Sequence, residues 1–329
     1  LQMNYIRRKL IKSALAMPLL FPLTGEDLFL KSLYPDSDIK IALQCVSLAN
    51  KIFSGKMSIL DFPRLVREDF NIEAAEYWNL PLIGKRKDPN FIKEIINKTS
   101  DYGLQNTIML VDLYDLQTKK TKSICDSDKK IRTQAIEEYK EWIDISKKIG
   151  CDSIRVGLWS KGMNAEEVNK ISKEGLNKLL EYSSSINISI VIENHGGFSA
   201  DASWLVNLVK NINHPHLGTL PDFGTSNFCI ERSQLSQNVF DYSGKCINQY
   251  DKYKGVEQML PFAKGISAKS INFDKNGEEV NTDFGRMISL IKSSNFNGFM
   301  SIEYEGAFSG YLDNHDGIMA TKKLIEKYL

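Results

Sequence analysis

The chain has 329 residues, a length that suits one (β/α)₈ barrel domain of about 250 residues or more. Apolar residues make up 42% and charged residues 25% of it, a composition that excludes wholesale disorder. Its 42 Lys and Arg nearly balance 41 Asp and Glu, so no global electric field would attract nucleic acid or an anionic membrane.

The first residues have the layout of an export signal. A basic cluster of Arg7, Arg8 and Lys9 precedes a mostly apolar stretch that runs from Leu10 to Leu23. This order resembles the twin-arginine signal and predicts a periplasmic protein that is exported in the folded state. The alternative is a cytoplasmic protein with an amphipathic N-terminal helix, since no small-x-small cleavage site is clear. The apolar run is too short for a stable membrane insertion.

From residue 39 onward, short apolar runs alternate with longer segments of helical periodicity. Eight runs are rich in Ile, Val and Leu: Ile39–Leu48, Ile72–Trp78, Thr107–Leu113, Ser153–Leu158, Ile188–Glu193, His216–Asp222, Gly265–Lys269 and Gly298–Glu303. Predicted helices lie between and after them: Ile131–Ile149, Ala165–Ser185, Ala202–Asn211, Thr282–Ser293 and Asp316–Tyr328.

This strand–helix alternation predicts an α/β fold with a parallel sheet. Eight repeats without a Gly-rich dinucleotide fingerprint favour a closed (β/α)₈ TIM barrel in a single domain. We therefore divide the chain into a signal-like segment at 1–23, a linker at 24–38 and the barrel at 39–329.

One connection is unusually long, with about thirty residues between Asp222 and the helical segment near Tyr253. In a barrel it would lie on the catalytic face, either as a lid or as an insertion without a role. The five cysteines lack CxxC spacing, so we expect neither a zinc cluster nor a disulfide framework. Cys229 and Cys246 could nevertheless pair across this loop.

Three of the apolar runs end in a carboxylate: Glu193 in VIENHGG, Asp222 in GTLPDFG and Glu303 in SIEYEG. In a parallel barrel these ends share one rim, where active sites lie. A lone carboxylate there is usually a cap or an ion-pair residue. Because three of them converge and repel one another, we predict a shared divalent metal ion. Hard oxygen ligands favour Mg²⁺ or Mn²⁺ over Zn²⁺ or Co²⁺.

Other side chains near the strand ends are candidates for substrate binding. Arg155 could bind a hydroxyl, carboxylate or phosphate of the substrate, or pair with Glu193. His195 could hydrogen-bond a hydroxyl or be structural, and Lys269 could stabilise an oxyanion or bridge to a carboxylate. Glu76, Asp112 and Asp115 could line the rim or be solvated surface residues. Trp78 and Trp159 could stack on a sugar face, although packing is more common for such rings, and Asn227 is a further substrate-binding candidate.

In this order, VIENHGG, LPDFG, GISAK and GFMSIEYEG resemble the sugar phosphate isomerase/epimerase family of xylose isomerase-like TIM barrels. The resemblance extends to SILDFPRLVREDFNIEAAEYW and KKIGCDSIRVG, and it covers residues 39–329. It implies that Glu193, Asp222 and Glu303 bind a divalent metal. In the family's ketose epimerases a histidine on the seventh strand is a fourth ligand. Ser267 stands at that position here, which implies a looser site, an extra water or no metal.

The resemblance also implies the reaction. Glu193 and Glu303 are expected as the acid/base pair that moves a proton next to a carbonyl, through an enediolate, in a carbohydrate substrate. The predicted function is a metal-dependent sugar isomerase or epimerase, with homo-oligomerisation left open and no nucleic-acid partner. One alternative is a dehydratase or lyase acting on an oxidised sugar or inosose. The other is a non-catalytic sugar-binding barrel in which Ser267 marks a decayed metal site.

Overall fold

The structure is a computed structural model that describes residues 38–234, 240 and 244–329. The predicted signal-like segment at 1–23 lies outside the described residues, and so does the predicted linker except for Asp38. Within the described part of the chain, no helix is long and apolar enough to cross a membrane.

The strands form a parallel barrel and one small antiparallel ribbon. Their bounds in chain order are β1 (Ile39–Gln44), β2 (Ala74–Trp78), β3 (Gln105–Leu110), β4 (Ser153–Arg155), β5 (Ser189–Glu193), β6 (Leu217–Leu220), β7 (Cys229–Arg232), β8 (Cys246–Gln249), β9 (Ile266–Ser270) and β10 (Gly298–Tyr304). The eight barrel strands are hydrogen-bonded in the order β6-β5-β4-β3-β2-β1-β10-β9, and β7 pairs with β8. Each predicted apolar run contains or overlaps one barrel strand, so the TIM barrel prediction is confirmed.

The barrel closes between β6 and β9 through local bridges rather than a continuous ladder. Asp222 pairs with Ser267 in parallel orientation. The Ser267 N–H donates to the Pro221 carbonyl at 2.8 Å, and the Phe223 N–H donates to the Ser267 carbonyl at 3.1 Å. The closing hydrogen bonds therefore also fix the backbone on which two candidate site residues stand.

The longer helices surround the barrel. Their bounds are α1 (Pro89–Asp101), α2 (Lys129–Ile149), α3 (Ala165–Ser185), α4 (Ala202–Ile212), α5 (Lys252–Met259), α6 (Phe284–Ser293) and α7 (Asn314–Tyr328). Shorter helical segments lie at Cys45–Leu48, Ala49–Phe53, Ile59–Asp61, Phe62–Arg64, Leu65–Asp69, Leu80–Lys85, Gly197–Ala200, Thr225–Phe228, Leu260–Phe262 and Gly306–Ser309. The five predicted helices are present, α5 contains the predicted helical segment near Tyr253, and α1 is an addition to them.

Helix α2 illustrates how local sequence determines these elements. The Asp128 carboxylate accepts the Lys130 N–H at its N-terminus, and Gly150 ends the helix in the left-handed conformation at φ 84°. The predicted apolar face is buried, including Tyr139 and Ile143. Burial of this stripe against the strands holds the helix on the barrel, because its propensity alone would not.

The long connection after Asp222 contains the β7–β8 ribbon, which a disulfide between Cys229 and Cys246 joins. The pairing of Cys229 with Cys246 that the sequence left open is therefore present. The Phe240 ring lies 6.0 Å from the ring of Trp78 and 5.1 Å from that of Tyr114. Trp78 is the last residue of β2 and Tyr114 follows β3, so Phe240 lies on the predicted face, and the role of the connection as a lid stays a prediction.

A close helix–strand contact at Gly317 makes the packing testable. Gly317 of α7 lies against the Tyr304 ring of β10, and an added Cβ would overlap that ring. Since the Tyr304 hydroxyl also donates to the Leu312 carbonyl at 2.7 Å, the ring cannot move freely. We expect Gly317→Ala to lower the free energy of unfolding by about 1–3 kcal/mol in urea denaturation. Gly84→Ala, where nothing lies within 4 Å, is the control; equal effects of the two changes would contradict this packing.

Candidate active site

The three predicted carboxylates converge at the carboxyl ends of the strands. Glu193 is the last residue of β5, Glu303 is the last but one of β10, and Asp222 follows β6 by two residues. One carboxylate oxygen from each lies within 4.8 Å of the others. All three residues are buried, with at most 6% of their surface exposed. The structure therefore brings the three predicted metal ligands together.

Asn194 brackets Asp222 and was missed by the sequence analysis. The Asp222 N–H donates to Asn194 Oδ1 at 2.8 Å, and Asn194 Nδ2 donates to the Asp222 carbonyl at 3.1 Å. The Gly224 N–H donates to Asp222 Oδ1, which leaves Asp222 Oδ2 without a hydrogen bond among the described residues. Asn194 directly follows Glu193 in VIENHGG, and this polar residue next to a strand-end carboxylate is the signal that could have identified it.

Arg155 enters the site from the end of β4. Its guanidinium forms ion pairs with Glu193 Oε2 at 3.0 Å and with Asp112 Oδ2 at 2.9 Å. The Trp78 indole N–H donates to the same Asp112 oxygen at 2.8 Å. Of the two predicted roles for Arg155, pairing with Glu193 is therefore observed. One guanidinium thus pairs with two carboxylates, one at the end of β5 and the other just after β3.

Lys269 enters the same site from β9. Its ammonium lies 3.2 Å from Glu303 Oε1, 3.4 Å from Asp222 Oδ2 and 3.3 Å from Glu305 Oε1. Only 2% of its side chain is exposed. Bridging to carboxylates, one of its two predicted roles, is thus observed, and Glu305 is a partner that the sequence analysis did not name.

The pKa values of the two glutamates are shifted in opposite directions. Burial raises the pKa of Glu193 to about 7, although Arg155 opposes the shift. Burial also acts to raise the pKa of Glu303, but the Lys269 charge and a hydrogen bond from Ser267 outweigh it and lower that pKa. Burial raises the pKa of Asp222 well above its ordinary value, against the effect of Lys269. Carboxyl groups whose pKa values are pushed apart are typical of an acid/base pair.

Ser267 acts here as a partner of Glu303. Its hydroxyl donates to Glu303 Oε2 at 2.5 Å and accepts from Gln44 Nε2 at 3.2 Å. Ser267 stands where the family resemblance implies a histidine ligand, and it places a small hydroxyl against the Glu303 carboxylate. Three hard carboxylate oxygens, one without a hydrogen bond, remain suited in chemistry and spacing to a divalent cation.

The other predicted substrate-binding residues lie in three places. Arg155, Trp159 and His195 line one small cavity together with Asp112. Burial lowers the pKa of His195 well below its ordinary value, so its imidazole is neutral at pH 7. Asn227 is buried in the turn after β6, and its Nδ2 has no hydrogen bond among the described residues. Asp115 is exposed and accepts from backbone N–H groups of its own turn, so it is the surface residue of the two alternatives.

Glu76 lies deeper, fully buried inside the barrel. Its carboxylate accepts hydrogen bonds from the hydroxyls of Ser301 and Thr107. Burial is the main cause that raises its pKa from 4.5 to about 8. The alternative of a solvated surface position is therefore excluded, and contact with a substrate stays a prediction.

The raised pKa of Glu76 makes stability depend on pH. Between its unfolded and folded pKa values, the folded protein keeps a proton that the unfolded chain loses, so stability falls as the pH rises through this window. Each pKa unit corresponds to about 1.4 kcal/mol, and we expect Glu76→Gln to remove a fall of several kcal/mol between about pH 5 and about pH 9. Urea denaturation across this range measures it. Glu257→Gln, at an exposed position, is the control; parallel pH profiles for all three proteins would contradict a buried, protonated Glu76.

Comparisons with known proteins agree with this fold. A family model for the xylose isomerase-like TIM barrel matches residues 68–327, so the chain belongs to that family. The family resemblance predicted from the motifs is thereby confirmed. No curated protein matches the chain at a significant level.

Solved structures of the same fold include enzymes of two reaction types. D-Psicose 3-epimerase with D-tagatose from Clostridium cellulolyticum H10 has a TM-score of 0.65 at 12% identity, covering 88% of this chain and 99% of that one. A sugar phosphate isomerase/epimerase from Parabacteroides distasonis has a TM-score of 0.61 at 12% identity, covering 95% and 99%. The probable 3-DHS dehydratase AsbF from Bacillus anthracis has a TM-score of 0.60 at 16% identity, covering 87% and 98%. At these identities the likeness establishes the fold alone.

Proposed function

We propose that this protein is a metal-dependent carbohydrate isomerase or epimerase that moves a proton next to a carbonyl. The observation that carries the proposal is the pair of buried glutamates, Glu193 and Glu303, whose pKa values are shifted in opposite directions around a shared cluster. Around the closed barrel, β6 and β9 lie between their strands, β5 and β10. The two glutamates could therefore approach a bound substrate from two sides.

Glu303 is the base in this proposal, because the Ser267 hydroxyl and a neighbouring positive charge favour its ionised form. That charge is the Lys269 ammonium in the ion-free protein and would be the divalent cation once it is bound. It removes a proton from the carbon beside the carbonyl, and the electron pair moves onto the carbonyl oxygen to give an enediolate. Glu193, with a pKa of about 7, returns a proton to the other face of the same carbon in an epimerase. A divalent cation held by Glu193, Asp222 and Glu303 would supply Lewis-acid stabilisation of the negative charge.

The neighbouring side chains support an uncharged polyhydroxy substrate. Trp159 and the neutral His195 line a cavity together with Arg155, the ion-pair partner of Glu193. Its volume of about 20 Å³ is too small for a sugar, so stacking on the Trp159 ring and a hydrogen bond to the imidazole require the cavity to widen when a sugar binds. The glycine-rich phosphate cradle with a following Lys-Ser or Lys-Thr is missing from the sequence, which argues against a phosphate-binding loop of that type. D-Tagatose, which one similar structure contains, is a sugar of this class.

A second candidate is a dehydratase, which expels a hydroxyl from the same enediolate. Two observations favour it. Ser267 replaces the fourth ligand expected in the ketose epimerases, and a protein described as a probable dehydratase shares the fold. Glu193 would then protonate the leaving hydroxyl, a role that its pKa of about 7 allows.

Hydrogen exchange in deuterated buffer tests the reaction. The protein is incubated with Mn²⁺ and a panel of ketoses, oxidised glycosides and inososes, and NMR follows the carbon-bound protons. We expect Glu193→Gln and Glu303→Gln each to lower turnover by about 10²-fold or more, since each removes a proton-transfer group. Glu257→Gln, exposed on α5, is the matched control and should keep wild-type turnover.

The outcomes of this experiment separate the candidates. Exchange without loss of a hydroxyl supports the epimerase or isomerase, whereas loss of a hydroxyl supports the dehydratase. No exchange over the whole panel, combined with thermal stabilisation by a sugar, would leave only the sugar-binding barrel. Full turnover in both glutamate variants would refute the assignment of the acid/base pair.

We propose in addition that the protein is exported to an oxidising compartment, the periplasm. The twin-arginine-like order at Arg7 and Arg8 supports this location. The Cys229–Cys246 disulfide supports it independently, because such bonds persist mainly outside the cytoplasm.

Cell fractionation with thiol alkylation tests the location. We expect the wild type in the periplasm, with Cys229 and Cys246 protected from alkylation by their disulfide. The Arg7→Lys/Arg8→Lys variant should stay in the cytoplasm, and both thiols should be alkylated once the protein is unfolded in denaturant without reductant, because reducing conditions prevent the bond. The buried thiol of Cys45 should react only after unfolding in both proteins and is the internal control. A cytoplasmic wild type would contradict the proposal.

A further inference from the structure

Lys269 has contacts that a bound cation would have. Its ammonium lies within 3.4 Å of one oxygen from each of Asp222, Glu303 and Glu305, and its side chain is 2% exposed. Two of these three carboxylates are also members of the cluster that could hold a metal ion. One of these oxygens, Asp222 Oδ2, has no hydrogen bond among the described residues and forms an ion pair with this ammonium.

Small neighbouring residues leave space for the Lys269 side chain. A Cβ on Gly224 would lie 2.7 Å from Lys269 Cδ, so glycine at this position leaves space for the lysine side chain. Ser267, two residues before Lys269 on β9, contributes only a small hydroxyl to the same region. The path of Lys269 into the cluster therefore depends on small residues on both sides.

The ammonium and a divalent ion cannot keep the same contacts. An ion bound by carboxylates lies about 2.0–2.6 Å from their oxygens. An ion on Asp222 and Glu303 would therefore stand close to an ammonium that is 3.2–3.4 Å from the same two side chains. Repulsion between such close positive charges is large in a buried site.

Glu305 offers the lysine an alternative. It lies 3.3 Å from the Lys269 ammonium and, unlike Asp222 and Glu303, is not a member of the three-carboxylate cluster. One third of its side chain is exposed. An ammonium that moved toward Glu305 would keep an ion pair, so it would avoid the high cost of a buried charge without a partner.

We propose that Lys269 is an intramolecular competitor of the divalent cation. Its ammonium neutralises Asp222 and Glu303 in the ion-free protein and withdraws to Glu305 when an ion enters. The inference rests on the metal site of the proposed function and adds to it that Lys269 sets the affinity of that site. It also explains how a buried acidic cluster stays folded without an ion.

Calorimetric titration with MnCl₂ tests the competition without any measurement of activity. We expect Lys269→Met to bind Mn²⁺ roughly tenfold to a hundredfold more tightly than the wild type, because the competing charge is removed. The ion-free variant should melt at a lower temperature than the wild type, and Mn²⁺ should raise its melting temperature more. Lys148→Met, at an exposed position on α2, is the matched control and should bind like the wild type.

Glu305→Gln provides a second test that does not depend on the folding of Lys269→Met. It should weaken Mn²⁺ binding, since Glu305 is then no longer an anionic partner toward which Lys269 can withdraw. In the Lys269→Met background the same change should have much less effect, which a double-mutant cycle measures.

The outcomes distinguish this inference from the proposed function. Equal or weaker Mn²⁺ binding by Lys269→Met would overturn the competition and leave the metal site intact. Unchanged binding by Glu305→Gln would overturn the role of Glu305 as the alternative partner. Failure of every protein to bind Mn²⁺ would overturn both the competition and the metal site.

Discussion

The burial of several carboxylates at one mouth of a parallel barrel is the constraint on which the rest of the site depends. Within the part of the chain that the structure describes, Asp112, Glu193, Asp222, Glu303 and Glu305 form their ion pairs with two basic side chains, Arg155 and Lys269. A buried charge without a partner is costly, so each carboxylate needs an ion pair, a hydrogen bond, a proton or a metal ion. The arrangement of Arg155, Lys269, Ser267 and Asn194 satisfies most of these needs.

The same arrangement makes the two glutamates chemically different. Arg155 divides its guanidinium between Glu193 and Asp112, so Glu193 keeps a raised pKa. Glu303 receives both an ammonium and a hydroxyl, and its pKa is lowered. In the function that we propose, this difference in partners makes one glutamate the proton donor and the other the proton acceptor. The type of reaction in that proposal comes from the family resemblance.

The sequence predicted the barrel because apolar runs and amphipathic helices are local patterns. It also predicted Glu193, Asp222 and Glu303 as neighbours, because the ends of parallel strands share one rim. It could not choose between the roles of Arg155 and Lys269, since the choice depends on side-chain paths set by register and by Gly224. The Asn194–Asp222 bracket and the Lys269–Glu305 pair join residues far apart in sequence, which no periodicity reveals. The Cys229–Cys246 bond was left open because the spacing of cysteines in a sequence does not decide which of them pair.

Anomalous diffraction from a crystal saturated with Mn²⁺ tests the central claim most directly. The account predicts one anomalous peak in contact with Glu193, Asp222 and Glu303, with the Lys269 ammonium moved away from Asp222 and still paired with Glu305. A map without a peak in this cluster, in which Lys269 keeps its ion pairs with Asp222 and Glu303 at saturating Mn²⁺, would contradict it.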